Sequence, residues 1–387
     1  MGIQEIRKEH ELVDLFCNLA EIPSPSLHEE KVSEWIKNYC AERGIHAEND
    51  NYGNVYVNIP ATDSSKQPML LSAHMDVIGD DSPVATYLDG EDLIRAEGRT
   101  LGGDDKAGVA NALYFAAQLA KSDMKHGGLE LFFTRDEESG MSGIHNADFK
   151  KLHSKYILVC DSDTLGQLEV SGASYTLATI KIKSAKGGHS GIDIGDKTRH
   201  NAAKLVAELV NNLPQGVFYE ENGLVITSCN IGGIVAGKPE VTNIINTDAL
   251  VTYSIRSASR AKEAELKAEM EAEVQRFNDK YATLAHAELT FAEHLPPFEA
   301  SNDKVIPEVF KKAGANLGLD VKVSSFHAGA ETHIYANETN ANGEKFLPYL
   351  IGLATVCNMH SREENLDYKS LLKGQELLSE IFKIFNA

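Results

Sequence analysis

A chain of 387 residues is longer than one hydrophobic core usually serves, and with 42% apolar and 24% charged residues it has ample material for two folded domains and little character of a disordered tract. Its 57 acidic side chains against 37 basic ones leave a formal charge of −20, which repels nucleic-acid phosphates and anionic lipid surfaces and excludes both as partners. Cys17, Cys40, Cys160, Cys229 and Cys357 are odd in number, scattered and without a CxxC pair, which argues against a disulfide framework or a thiolate metal site and for buried thiols in a reducing cytoplasm.

The opening segment, MGIQEIRKEHELVDLF, is charged throughout and lacks the apolar centre of a signal peptide; no later stretch reaches membrane-spanning length. Helical spacing predicts helices over 12–19 and 29–39, separated by Ile22-Pro23-Ser24-Pro25-Ser26, where two prolines interrupt any helix. The segment 54–59 alternates polar and apolar residues, as a strand with one buried face does. Apolar runs at 69–73, 129–134 and 156–160 read as buried strands of a parallel sheet, with a helix over 107–119 between the first two. From about 174 to 289 the texture changes to alternating strands at 175–182 and 249–255 and one long helix whose apolar stripe is Leu266, Met270, Val274, Phe277 and Tyr281. Helices over 304–317 and 368–385 then resume the first texture. The expected fold is α/β: a discontinuous domain of residues 1–173 and 290–387, with a mostly parallel sheet between helices, and an inserted α+β module of residues 174–289.

The titratable residues follow the C-terminal ends of the predicted strands, where open α/β sheets place their sites. His74-Met75-Asp76 follows the first; residues two apart on a strand point the same way, so Asp76 can hold His74 as a metal ligand, although such a pair alone is commonplace. Gly102-Gly103-Asp104-Asp105-Lys106-Ala107-Gly108 sets two carboxylates on a glycine-flanked turn at a helix start, where an N-cap explains one aspartate and leaves the other over. Asp136-Glu137-Glu138 ends the strand at 129–134, and three adjacent acids repel one another unless solvent or a cation compensates. Adjacent carboxylates can divide labour, one holding metal while its neighbour takes a proton from metal-activated water. Asp161 and Asp163 close the next strand, and His360 stands in Asn-Met-His-Ser-Arg-Glu-Glu. Each alone reads as a cap or a solvated loop; together, imidazole and carboxylate donors without thiolates suit zinc, manganese or cobalt and permit an aspartate bridging two ions.

In this order, HMD, GGDDKAG, DEES, CDSD and the late MHS resemble the motifs of peptidase T and its relatives in the dizinc aminoacylase and carboxypeptidase superfamily, over nearly the whole chain. The resemblance implies that His74, Asp104 and Asp161 bind one zinc and Asp104, Glu138 and His360 the other. It makes Glu137 the general base, Asp76 the residue that orients His74, and the peptide bond from Asp104 to Asp105 cis. It also implies that the α/β domain is catalytic and the inserted module a lid or dimerisation domain. Gly187-Gly188-His189-Ser190-Gly191 resembles the lid motif whose histidine, here His189, helps polarise the scissile carbonyl. Asn243 and Arg256 are similar to lid residues that meet the substrate, and arginine's planar fork suits a terminal carboxylate; the plainer readings are a turn histidine, a turn asparagine and a surface arginine.

Two positions depart from the pattern. Asn246 stands where the family often has proline, and Glu331, in His327-Ala328-Gly329-Ala330-Glu331, replaces the usual Gly-Thr-Asp and resembles a stretch of aminoacyl-histidine dipeptidases, which makes it a further substrate-binding candidate. The implied activity is removal of the N-terminal residue from a short peptide, a tripeptide first. An Xaa-His dipeptidase, an N-acyl amino acid deacylase or a carboxypeptidase shares the mechanism and stays open. A non-catalytic peptide-binding relative would have lost the base or a ligand, and all are present. The resemblance further implies a homodimer paired through the inserted module, with His189 acting in its own chain or across to the partner.

Overall fold

The apolar run that begins at Met69 forms a strand, Met69–His74, in which every residue is buried; its neighbours Leu129–Thr134 and Tyr156–Val159 are buried throughout as well. A strand without a polar face belongs in the middle of a covered sheet, and the computed structural model, which describes residues 2–387, places these three there. Eight strands run in the order His46–Asn49, Val55–Ile59, Leu129–Thr134, Met69–His74, Tyr156–Val159, Leu347–Ile351, Gln167–Gly172, Lys322–Phe326. The central four are parallel and the flanking pairings from Val55–Ile59 outward are antiparallel, as is that of Gln167–Gly172.

The helix Gly103–Leu119 packs on Met69–His74 and against the helices Glu11–Ala20 and Tyr368–Phe385. Its residues are buried around nearly the whole circumference, as expected of a helix inside a core and not at its surface. A second, four-stranded sheet, Thr355–Cys357, Asn365–Asp367, Leu93–Ala96 and Thr86–Asp89, joins the segments that lead to residues 100–104 and 358–364.

The chain divides into two compact units. One comprises the chain up to Val170 with Ala300–Ser324 and Ala330–Ala387; the other is Ser171–Glu299 with Ser325–Gly329. The second unit has a five-stranded antiparallel sheet, ordered Gly216–Glu221, Leu224–Val235, Asp248–Ser257, Tyr175–Ser184, Ala285–Leu295. Alternation along Tyr175–Ser184 buries Ala178, Ile180 and Ile182 beneath the helices Ala202–Asn212 and Arg260–Tyr281, and the long helix meets them with Leu266, Met270, Val274 and Phe277. Ser259 starts that helix by accepting the N–H of Lys262, seven residues ahead of the apolar stripe. The last strand continues past 289 because its N–H and C=O groups go on pairing with Tyr175–Ser184 as far as Leu295. Among the described residues no helix is long and apolar enough to cross a membrane. Cys17, Cys40, Cys160 and Cys229 are buried free thiols, whereas Cys357, expected inside, is exposed on a three-residue strand with one outward position.

Candidate active site

His74 is the last residue of its strand, Glu137 and Glu138 follow Leu129–Thr134, and Asp161 follows Tyr156–Val159, so adjacent strand ends deliver donors to one place. His74 Nε2 lies 3.0 Å from Asp104 Oδ1 and 3.7 Å from Asp161 Oδ1. His360 Nε2 lies 3.1 Å from Asp104 Oδ2 and 3.0 Å from Glu138 Oε2. Asp104 therefore stands between two imidazoles with one carboxylate oxygen toward each. Two sets of three donors, His74–Asp104–Glu138 and His74–Asp105–Asp161, have ligand atoms within 4.8 Å of one another.

The turn at 102–105 makes this arrangement possible. Gly102 has φ 77°, and a Cβ there would lie 2.7 Å from Val77 Cγ1, so only glycine fits. Asp104 and Asp105 both have non-helical backbone, and the bond between them is cis, as the resemblance implied. The two aspartates then part company. Asp105 Oδ1 accepts the N–H of Gly108 at 3.1 Å and Oδ2 that of His74 at 3.3 Å, which is the capping role; Asp104 is left to face the histidines.

Asp76 is fully buried, and its part is broader than orienting His74. His74 Nδ1 is 2.9 Å from the backbone carbonyl of Asp76 and 3.4 Å from its Oδ1. The carboxylate itself accepts the N–H groups of Glu137 at 2.9 Å and Glu138 at 3.2 Å and the hydroxyl of Ser26 at 2.7 Å. Burial works against its ionisation, but His74 and these donors hold its pKa down at about 2. One carboxylate thus fixes both the imidazole strand and the acidic loop.

The cluster is acidic and, apart from the half-exposed His360, largely buried. Burial, with Asp161, Glu331 and Glu138 nearby, pushes Glu137 up to about 9 despite His74. Burial and the surrounding acids likewise push Glu138 up to about 7 and Asp161 up to about 6. The hydrogen bond to Asp104 raises His360 to about 9, and Asp104, Asp161 and Asp76 raise His74 well above its usual value against its burial. Lys106, 1% exposed, gives its ammonium to the Ile22 carbonyl at 2.5 Å, and burial lowers its pKa to about 7. Glu138 Oε1 is buried with no hydrogen-bond partner among the described residues.

Buried like charges of this density need a cation or protons. His74 Nδ1 faces the Asp76 carbonyl and Nε2 faces a carboxylate oxygen at 3.0 Å, so the ring needs a proton or a cation at Nε2 to hold that contact. Imidazole and carboxylate donors with one bare buried oxygen fit two divalent cations.

Glu331 stands at the N-cap position of the short helix Thr332–Tyr335 but does not cap it with its side chain. It is 1% exposed, has one bare oxygen, and burial pushes it up to about 8. The remaining predicted residues belong to the second unit. His189 and Ile244 pair on a two-stranded ribbon, and the carbonyl of Asn243 accepts the N–H of Ser190 at 2.9 Å, so His189 and Asn243 are neighbours. His189 Nδ1 accepts the N–H groups of Gly191 at 3.1 Å and Ile192 at 3.2 Å, which leaves the proton on Nε2. Its backbone N–H goes to Asp193 Oδ2 at 2.8 Å, and Asp193 pairs with Arg199. The Arg256 guanidinium lies 4.3 Å over the Tyr175 ring and has no carboxylate partner among the described residues. Ser26, Asp193 and Tyr175 support the predicted residues without standing in any motif read from the sequence, and only Asp193, four residues beyond His189, lies near enough to one to have drawn notice.

The profile of Peptidase family M20/M25/M40 matches residues 70–383. The cytosol non-specific dipeptidase of Escherichia coli (strain K12) is 32% identical over 213 residues, 47% of this chain and 43% of the dipeptidase, so the match spans less than half of that relative's length. Peptidase T of Geobacillus sp. (strain WCH70) is 26% identical over 319 residues, 81% of this chain and 72% of the relative. The crystal structure of aminopeptidase PepT from Bacillus cereus ATCC 10987 superposes with a TM-score of 0.84 at 22% identity, over 97% of this chain and 98% of that one, which shows a shared fold.

Proposed function

This chain belongs to peptidase family M20/M25/M40, and on that premise we propose that it is a two-metal exopeptidase that removes the N-terminal residue from short peptides, tripeptides first. The observation that carries the reading is Asp104 set between His74 and His360, one oxygen 3.0 Å from the first and the other 3.1 Å from the second, with Glu137 beside Glu138. His74, Asp104 and Asp161 would hold one ion and Asp104, Glu138 and His360 the other. Zinc is the metal this reading names, and manganese and cobalt fit the same donors. Two such cations, if held by these residues, would polarise the peptide carbonyl and lower the pKa of a water to about 7.

Glu137 takes the proton of the attacking water and passes it to the leaving amine. Its backbone is pinned by Asp76, and its side chain has no hydrogen-bond partner among the described residues; cations at the proposed ligands would draw off the proton it otherwise keeps and leave a carboxylate able to take one from water. His189 donates its Nε2–H to the carbonyl oxygen as negative charge develops there, the tautomer that Gly191 and Ile192 enforce. Arg256 and Asn243 hold the peptide, the unpaired guanidinium taking its terminal carboxylate. Glu331 offers a buried carboxylate to the free α-amino group.

Metal-dependent release of amino acids from a tripeptide panel tests the proposal, with N-acetylated and C-amidated copies alongside. Release of the N-terminal residue from free tripeptides, abolished by a chelator and restored by zinc, is the expected result; hydrolysis of N-acetylated amino acids alone would overturn it in favour of a deacylase. The HAGAE stretch at Glu331 and the match to a dipeptidase favour one second reading, a dipeptidase of the Xaa-His kind, and cleavage confined to dipeptides would select it. The same proposal has two copies pair through the second unit, whose strand Ala285–Leu295 has a sheet neighbour on one side only among the described residues, in a cytoplasm that keeps all five thiols free.

A further inference from the structure

Glu364 lies four residues beyond His360 and is 1% exposed, yet its carboxylate reaches back some 260 residues in sequence. Oε2 accepts the N–H of Gly102 at 2.8 Å and the hydroxyl of Thr100, and Oε1 accepts the N–H of Asp104 at 3.2 Å. These donors lie just before the regular part of the helix that ends at Leu119, so no helical carbonyl accepts them. The neighbouring packing leaves the carboxylate little latitude: a Cβ on Gly103 would lie 3.0 Å from Val356 Cγ1 and 3.4 Å from Glu364 Oε1.

The segment that carries Glu364 also carries His360. It runs between Thr355–Cys357 and Asn365–Asp367, which pair with each other, and Arg95 ties it from outside through the carbonyl and carboxylate of Glu363, each at 3.1 Å. One loop therefore delivers two things to the same place: an imidazole that faces Asp104, and a carboxylate that grips the backbone of Asp104. A buried anion accepting three donors is a strong, charge-assisted anchor.

We propose that Glu364 is a positioning residue for the metal centre, holding the turn at 102–104 so that Asp104 presents one oxygen toward His74 and the other toward His360. The proposal rests on the reading of this cluster as a two-cation site. Because Asp104 is shared, loss of Glu364's charge weakens both ions. Loss of His360 weakens only the one it contacts.

Zinc and cobalt titrations of the full chain, followed by calorimetry and by the cobalt absorption spectrum, test this with Glu364→Gln, Thr100→Val and His360→Ala. The amide of Glu364→Gln turns a donor toward one of the N–H groups, and both binding steps should weaken about 10–100-fold, the range for removing a partner that orients a ligand, with a changed cobalt spectrum. His360→Ala should weaken one step. If Glu364→Gln does not fold, Thr100→Val decides: it leaves the carboxylate with one donor fewer, and a fewfold loss in both steps supports the proposal while unchanged affinity overturns it. A Glu364→Gln protein that binds both ions as the wild type does, or loses only one step, overturns the proposal and leaves the two-cation reading intact. A wild-type chain that binds neither ion overturns that reading and the proposal with it.

Discussion

Replacing Glu137 by glutamine should cost the enzyme its turnover and make the metal-free protein more stable, and the two effects have one origin. The carboxyl is pushed from its ordinary 4.5 to about 9 by burial and by Asp161, Glu331 and Glu138. Between those values the folded chain keeps a proton that the unfolded chain has released, so stability is fully present below pH 4.5 and falls as the pH rises toward 9. At about 1.4 kcal/mol per pH unit, the 3.5 units up to pH 8 set a ceiling of about 5 kcal/mol; partial exposure of the side chain and adjustment of its neighbours reduce this to about 2 kcal/mol. Glutamine has no proton to keep. Urea unfolding in a chelator should therefore show Glu137→Gln about as stable as wild type at pH 5 and about 2 kcal/mol more stable at pH 8. With metal restored, removing the base should lower kcat by about 10²–10⁴-fold without loss of metal, since Glu137 is not among the proposed ligands. A variant with wild-type kcat, or with the same stability difference at both pH values, would refute the reasoning.

Glu138→Ala should weaken binding of one ion while leaving the fold intact, seen as metal content per chain after dialysis falling from two toward one. Arg256→Ala should raise KM about 10–100-fold for peptides with a free carboxylate, the loss of a charge-assisted pair of hydrogen bonds, and leave KM for C-amidated peptides unchanged. His189→Ala should lower kcat about 10²–10³-fold with little change in KM, because its Nε2–H is needed only once charge develops on the carbonyl oxygen. Metal affinity should fall as pH falls, because His360, raised to about 9, and His74, raised by its aspartate neighbours against its burial, hold protons that a cation must displace; competition with a calibrated chelator at pH 6 and pH 8 measures it.

Much of this was legible in the residue order. Short apolar runs bounded by turn residues read as inner strands, and Met69–His74 and Leu129–Thr134 appear within a residue of their predicted bounds. The helix Tyr368–Phe385 follows its 3.6-residue stripe from end to end. The motifs hold the candidate residues His74, Glu137, Glu138 and Asp161 because strand ends are where a sheet leaves side chains free to converge. Tertiary structure decided which of two adjacent, chemically identical aspartates faces the histidines: Asp105 is drawn into capping by the N–H groups of Gly108 and His74, and Asp104 is held outward by Glu364. It also decided that Asp76 grips the loop of Glu137 and Glu138 and that Glu331 is buried. None of these leaves a local pattern. Periodicity records what one element buries against its surroundings, whereas the contact of His360 with Asp104 joins residues 256 positions apart and exists only once both turns have been set against the sheet.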